Sequence, residues 1–435
     1  MKILMVTRNF PLREASSGGI ENYLKALCLE LSKKNNITVI SPSRDPHAPN
    51  YSLQISNQNH IKIIKIVRNY TSIRNILNDP LFFIRDGRIE AIIDGLIDME
   101  SPDIVHIHHL NDLSFGIVNI IKKKHIPMII TLHDLRLINT HTHMYSTKTY
   151  KLDPSSCKSY FPVFYRKKIG YSLAKIWGGL PAKILIYLIM LFRFMTGYSC
   201  NKIERLRINY AKKIIKQADL LLAPSSFVKK LFTPFADKDK IQVRELGVVP
   251  PKIKRDPLGK KVRFGYVGGF LKHKGINILL NAFTSIRTKN AHLFIYGDEL
   301  KDVSVQKLIM KYSGNKNITF MGMYKDSGKL FSNIDVLIVP SICDETFSLA
   351  AHEAFAAKIP VIASKCGAFT EYIRNNINGF LFNPADEKDL RNILIKIANN
   401  PGIINKIRKN IPNVLTISDD ASQLTAIYNK VRAKR

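Results

Sequence analysis

VLIVPSICDETFSLAAHEAFAAKIPVIAS, residues 336–364, decides the fold of this chain. Read in order, it is a short apolar strand ending at Pro340-Ser341, a loop carrying Glu345, a helix that starts near Phe347 and carries Glu353, and a second apolar strand, PVIAS. Short, continuously apolar strands alternating with helices belong to parallel sheets covered by helices on both faces. In open sheets of that kind a ligand sits beyond the carboxyl ends of the strands, so the loop from Ser341 to Ser348 is the first place to look for chemistry. The helix that follows it can turn free N–H groups toward a phosphate.

Working outward from this stretch, the same order recurs. From Val262 the chain reads strand VRFGYVG, loop GFLKHKG, a helix with Ile278, Leu279 and Phe283, then strand HLFIYG, with ITFMG further on. The first forty residues restate it as strand Ile3–Thr7, loop SSGG (residues 16–19), a helix with Leu24, Leu27, Cys28 and Leu31, and strand ITVIS. IVHIHH, MIITLHD and LLLAPSS continue that half. The chain therefore reads as an α/β protein with two Rossmann-like domains. ELGVVPPKIKRDPLGKK, residues 245–261, has a proline pair and few apolar residues, and places the boundary near residue 255. The expected division is an amino-terminal domain at 1–255, a carboxyl-terminal domain at 256–417 and a terminal helix at 418–435, with Ser418 as its N-cap and Leu424, Ile427 and Val431 on its apolar face.

Composition bounds the partners. With 66 Lys and Arg against 34 Asp and Glu the net charge is +32, which draws the chain toward nucleic acid, an anionic membrane or phosphorylated substrates. The five cysteines are scattered, with no Cys-x-x-Cys pair and no zinc-ligand spacing, so a reduced, metal-free interior is expected. His106, His108 and His109 invite a metal reading, but strand alternation sends His106 and His108 to one face and His109 to the other. The longest apolar run, Ile184–Phe192, is too short to span a bilayer, and Arg8 and Pro11 interrupt the first apolar run before it could serve as a secretory leader.

Set beside these elements, the 336–364 stretch resembles the Glu-x7-Glu signature of the retaining glycosyltransferases of family four, which have the GT-B fold: two Rossmann-like domains with parallel sheets facing a cleft. The supporting residues run in family order through Glu345, Phe347, Glu353-Ala354, PVIAS, Gly367, Glu371 and NGFLF. The resemblance implies that Glu353 holds the ribose of a nucleoside diphosphate sugar, that Glu345 lies by the sugar ring, and that backbone N–H groups at Thr346, Phe347 and Ser348 hold the diphosphate. Thr346 and Ser348 stand where many relatives carry glycine. GYVGGFLKHKG resembles the family's second phosphate loop, with Gly268, Gly269 and Lys274; Lys274 matches the family lysine, while Gly269 occupies the arginine position, leaving Lys272 or His273 to replace it. A lysine here suits a departing diphosphate, whose negative charge a fixed cation stabilises. SSGGIENYL resembles the Gly-Gly-x-Glu loop through Gly18, Gly19 and Glu21, and the end of MIITLHD supplies His133, the family's histidine lining the sugar pocket.

The expected catalytic residues are thus His133, Lys274 and Glu345, with donor contacts from Gly18, Gly19, Gly268, Gly269, Lys274, Glu345, Thr346, Phe347, Ser348 and Glu353. No cofactor or metal is expected beyond the nucleotide-sugar donor. One segment departs from the family. Between Val163 and Lys216 stand twelve Lys or Arg against Glu204 alone, interleaved with Tyr171, Trp177, Tyr187, Phe192 and Phe194. That composition suits an interfacial segment on an anionic membrane, which implies a peripheral protein at the cytoplasmic face, a saccharide or lipid-linked acceptor, a place in bacterial surface-polysaccharide or capsule assembly, and no specific nucleic acid. A sugar-nucleotide epimerase of the same fold and a non-enzymatic polyanion- or membrane-binding protein are the alternatives.

Overall fold

The apolar strands read above are mostly buried, with ITFMG half-exposed at a sheet edge. The computed structural model describes residues 1–10, 18–69, 84–110, 112–138, 200–254, 257–297, 303–324 and 326–434, with backbone alone at 200–205 and 303–305. Its first sheet uses β1 (Lys2–Val6), β2 (Asn36–Ser43), β3 (Leu53–Gln58), β4 (Ile61–Val67), β5 (Ile104–Ile107), β6 (Met128–Thr131), β7 (Leu220–Ala223) and β8 (Ile241–Val243). The second uses β9 (Val262–Val267), β10 (Ala291–Tyr296), β11 (Ile318–Gly322), β12 (Val336–Val339), β13 (Val361–Ser364) and β14 (Gly379–Phe382). β5, β6, β12 and β13 are buried at every residue, the pattern of strands covered on both faces.

The helices are α1 (Gly19–Ser32), α2 (Gly87–Glu100), α3 (Ile117–Lys123), α4 (Cys200–Gln217), α5 (Ser226–Phe232), α6 (Ile276–Thr284), α7 (Val303–Tyr312), α8 (Ser327–Ser332), α9 (Leu349–Ala356), α10 (Phe369–Tyr372), α11 (Glu387–Asn399), α12 (Gly402–Lys409) and α13 (Ile417–Arg432). α1 buries Leu24, Leu27, Cys28 and Leu31, the face its sequence period marks out. α9 begins at Leu349 rather than near Phe347, because Ser348 is still in extended backbone.

Strand order is β3-β4-β2-β1-β5-β6-β7-β8 in one sheet and β11-β10-β9-β12-β13-β14 in the other. The chain winds outward from β1 and from β9, then returns to lay β5 beside β1 and β12 beside β9. Each pair is a point where strand order reverses, and loops leaving the two strands part there to leave a crevice. Every pairing between these strands is parallel except β3 with β4. β3 is an exposed edge strand in which even Leu53 and Ile55 face outward among polar residues, joined to β4 through Asn59 and His60, both at positive φ. Its lack of an apolar run hid it from the sequence reading.

The carboxyl-terminal helix ends far from the sheet that precedes it. α13 crosses back to the first sheet, where Ile417, Ala421, Leu424, Tyr428 and Val431 pack with Ile3, Tyr23, Leu24, Leu27 and Cys28. Its N-cap is Thr416 and not Ser418: the Thr416 hydroxyl accepts from the Asp419 amide at 3.2 Å. Asp420 in its first turn is fully buried, ion-paired with Arg244, and accepts from the Gly247 amide at 2.7 Å. Residues 244–248, at the head of the expected linker, are therefore fastened to α13, and Val248 bridges to Thr416.

Among the described residues no helix is long and apolar enough to cross a membrane. The basic aromatic segment lies outside the described residues from Val163 to Ser199, and so does the Ile184–Phe192 run.

Candidate functional site

Loops leaving the strands at and beside the two reversal points carry the motifs. After β9, the turn Lys272–Lys274 closes on Gly275, whose φ of 71° is left-handed. A Cβ at Gly275 would lie 1.8 Å from the Pro340 carbonyl, so only glycine lets this loop press against the end of β12. The Ile342 amide donates to the His273 carbonyl at 2.9 Å and joins the two loops.

Lys274 then reaches Glu345, its Nζ donating to Oε1 at 2.8 Å, while the Ser341 hydroxyl donates to the same oxygen at 2.6 Å. Burial alone would push the Glu345 carboxyl up, but the Lys274 ammonium and these two bonds outweigh it and hold the group below its ordinary value. Burial would likewise pull Lys274 down, and the Glu345 carboxylate reverses this. Both groups are charged, with the lysine one-third exposed at 34% and the glutamate at 14%.

From Glu345 the chain runs extended into α9. Among the described residues the amides of Thr346, Phe347 and Ser348 donate to no acceptor, which leaves a run of free N–H groups ahead of a helix amino terminus. The Phe347 ring stacks on His352, with centroids 3.9 Å apart, and joins the apolar cluster around α1. Its side chain is a packing element, and only its backbone faces the loop. Glu353, eight residues after Glu345, is partly buried, and burial pushes its carboxyl up to about 7. A third loop closes the floor: Gly367 donates to Asp344 Oδ1 at 2.8 Å, and Ala368 to the Glu345 carbonyl at 2.9 Å. Gly268 has a φ of 155°, and the Gly269 carbonyl accepts from the Tyr266 hydroxyl at 2.8 Å. Gly269 offers no cation, and the structure keeps Lys274 at the centre of this loop.

Across from these loops stand the ends of β1, β5 and β6. Gly18 is the N-cap of α1, and Gly19 faces Leu349 of α9 closely enough that an added Cβ would lie 3.3 Å from its methyl carbon. Glu21 is buried and holds Arg8, which donates to it from Nη2 at 2.8 Å and from Nε at 3.0 Å. The sequence reading passed over Arg8, whose signal was a cation directly after β1.

His133 follows β6, and its carbonyl accepts from the Thr346 hydroxyl at 2.8 Å. Its ring Nε2 lies 2.8 Å from His108 Nδ1, and the rings stack at 5.1 Å. His109 stacks on His133 from 5.4 Å. β5 ends at Ile107, so the alternation that assigned His108 and His109 to opposite faces no longer applies, and both converge on His133. His106, still within the strand, packs its ring against His108 at 4.0 Å and lies 2.7 Å from both the Tyr428 and Thr131 hydroxyl oxygens. Burial first, and then the Arg8 charge, lower His133 to about 3, while His106, His108 and His109 also fall well below the ordinary histidine value through burial. All four rings are neutral near pH 7. Among the described residues no three His, Cys, Asp or Glu side chains are placed to hold a metal ion.

The two sides meet at more than one point. Ser225 donates from its hydroxyl to the Thr346 carbonyl at 2.7 Å, and Glu371 accepts from the Ser226 and Phe227 amides at 2.9 and 2.5 Å. Sequence distance hid these contacts, since neither Thr346 nor Glu371 carries a mark of its partner.

Comparisons with known proteins give the family and the fold. Residues 17–250 match the model of Glycosyltransferase Family 4, and residues 252–414 that of Glycosyl transferases group 1. A stretch of 181 residues is 29% identical to lipopolysaccharide 1,2-N-acetylglucosaminetransferase of Salmonella typhimurium, covering 37% of this chain and 48% of that enzyme. The chain thus spans about half the length of that relative. Alpha-monoglucosyldiacylglycerol synthase of Acholeplasma laidlawii is 27% identical over 320 residues, 71% of this chain and 69% of that one. The structure of Anabaena HepE in complex with UDP and glucose superposes with a TM-score of 0.62 at 16% identity, over 100% of this chain and 99% of that one. The fold is the shared one, two Rossmann-like domains in the GT-B arrangement.

Proposed function

The chain belongs to glycosyltransferase family 4, and from that premise we propose that it moves a sugar from a nucleoside diphosphate donor to a hydroxyl of a lipid-linked saccharide, with retention at the anomeric carbon. One observation carries the reading. The Thr346 hydroxyl bonds the His133 carbonyl at 2.8 Å, so the loop holding Glu345, the free amides and Lys274 stands against the neutral imidazole of the opposite domain.

In this reading the donor's diphosphate lies on the amides of Thr346, Phe347 and Ser348, with Lys274 beside it. Negative charge growing on the leaving diphosphate is met by a cation already in place, which needs no reorganisation at the moment of reaction. Glu345 leaves its bond to Lys274 in part as the diphosphate arrives and turns its carboxylate toward the sugar ring. Glu353 accepts from the ribose hydroxyls. Gly18 and Gly19, and the turn at Gly268 and Gly269, keep the backbone low enough for the donor to approach. His133 stays uncharged, so it can hydrogen-bond a sugar hydroxyl without repelling the positive charge that develops on the ring in the transition state.

The acceptor enters from the amino-terminal side. The +32 net charge and the basic aromatic stretch from Val163 to Lys216 support a peripheral place on an anionic membrane surface, where a lipid-linked acceptor is found. The relatives support the acceptor class in kind, since one acts in lipopolysaccharide and another is named for a glycosyldiacylglycerol. The test is incubation with a panel of nucleotide sugars and a polyprenyl-linked saccharide, followed by mass spectrometry and NMR of the product. An added hexose in the donor's anomeric configuration is the expected result. An inverted linkage refutes the retaining mechanism, and an isomerised donor with no acceptor product shows an epimerase instead.

A further inference from the structure

The histidine pair at the ends of β5 and β6 is more than a lining. His108 Nδ1 and His133 Nε2 are 2.8 Å apart, and a bond of that length needs an N–H on one and a lone pair on the other. Both rings are buried and neutral. Among the described residues the remaining two nitrogens, His108 Nε2 and His133 Nδ1, are buried without a partner. Only two arrangements are open. Either His108 donates and His133 carries its own proton on Nδ1, or His133 donates and His108 carries a buried N–H on Nε2.

The second arrangement strands that N–H inside the domain, where His108 is packed between the His106 ring at 4.0 Å and the His133 ring. The first moves the unpartnered N–H to His133, at the domain boundary marked by its carbonyl bond to Thr346. A buried N–H without a partner is costly unless an acceptor comes to it, and a substrate hydroxyl is such an acceptor.

We propose that His108 is a positioning residue that holds His133 in the Nδ1–H tautomer, so that the nitrogen opposite His108 offers a hydrogen-bond donor to the sugar. The inference rests on the reading of His133 as sugar-facing. The partner on one ring nitrogen decides where the proton sits on the other. Without His108, His133 Nε2 recovers the proton that a neutral histidine in water favours, and the donor becomes an acceptor.

The experiment uses the full chain labelled with 15N-histidine, with His133 assigned through His133→Gln and tautomers read from long-range 1H–15N correlations. In the wild type His133 should show a protonated Nδ1 and a bare Nε2. His108→Phe, which keeps a ring but has no nitrogen, should reverse this. His108→Asn, whose amide N–H takes the place of Nδ1, should retain it, and covers the case in which the phenylalanine variant fails to fold. A protonated Nε2 in the folded wild type overturns the proposal, as does an unchanged tautomer in His108→Phe.

A second arm measures consumption of UDP- and GDP-sugars. His108→Phe and His133→Gln should each lower kcat/KM by about tenfold, the loss of one hydrogen bond, and the double variant should lose no more than either. Fully additive losses overturn the coupling. If the wild type consumes no nucleotide sugar, the reading of the site fails, and the tautomer measurement then decides this inference by itself.

Discussion

Lys274→Met removes the ammonium from Glu345 and leaves the length of the side chain. Breaking a fully buried ion pair costs about 3–5 kcal/mol, because one charge stays behind in a poor solvent. Here Lys274 is 34% exposed and the Ser341 hydroxyl still donates to Glu345 at 2.6 Å, so the loss should be smaller, about 2 kcal/mol at pH 8. The sign with pH follows from the two folded states. In the wild type Glu345 lies below its ordinary value, so its share of stability is present above that value and lost as pH falls through the folded one. In the variant the Ser341 bond opposes burial without the ammonium, so the carboxyl rises above its ordinary value and its ionised form destabilises the fold. Protonation of that carboxyl as the pH falls toward 5 should therefore shrink the difference between the two proteins. Urea denaturation of both proteins at pH 8 and pH 5, followed by circular dichroism, measures this. Lys274→Met/Glu345→Gln, which removes both charges, should recover most of the loss while remaining unable to bind a nucleotide sugar. A single variant as stable as the wild type, or a loss that does not change between pH 8 and pH 5, refutes the reasoning.

Glu353 carries a prediction of the opposite kind, since its carboxyl stands at about 7 and must be ionised to accept from ribose. Nucleotide-sugar affinity should therefore weaken by about tenfold from pH 8 to pH 6, and this slope should vanish in Glu353→Gln, as calorimetry can show. Asp420→Ala should destabilise the chain by about 3–5 kcal/mol in urea titrations, because Arg244 is left buried without its counter-ion. Gly275→Ala places a Cβ 1.8 Å from the Pro340 carbonyl at a φ of 71°, and should abolish donor binding in a thermal-shift assay while the first domain keeps its fold.

Local pattern made much of this molecule legible. Strands such as VLIV and MII are apolar because helices cover both faces, and the loops after strands of this kind hold Glu345, Lys274, Gly19 and His133. Long-range pairing was not legible. Nothing around Tyr428 announces that its hydroxyl lies 2.7 Å from His106, 322 residues away. His106 and His108 do share a side, their rings 4.0 Å apart, and only His109 was misplaced, for a local reason: period-two alternation holds only while the strand lasts, and β5 stops at Ile107, one residue before His108. The edge strand β3 was invisible because its residues face water and carry no apolar period.

The most direct test of the account is a thermal-shift panel of UDP, GDP, dTDP, CMP and their sugar conjugates on the wild type and on Glu353→Ala. A ligand that binds only the folded protein raises its stability. One nucleotide should raise the melting temperature of the wild type and leave the variant unmoved. A wild type that no nucleotide stabilises at millimolar concentration contradicts the account.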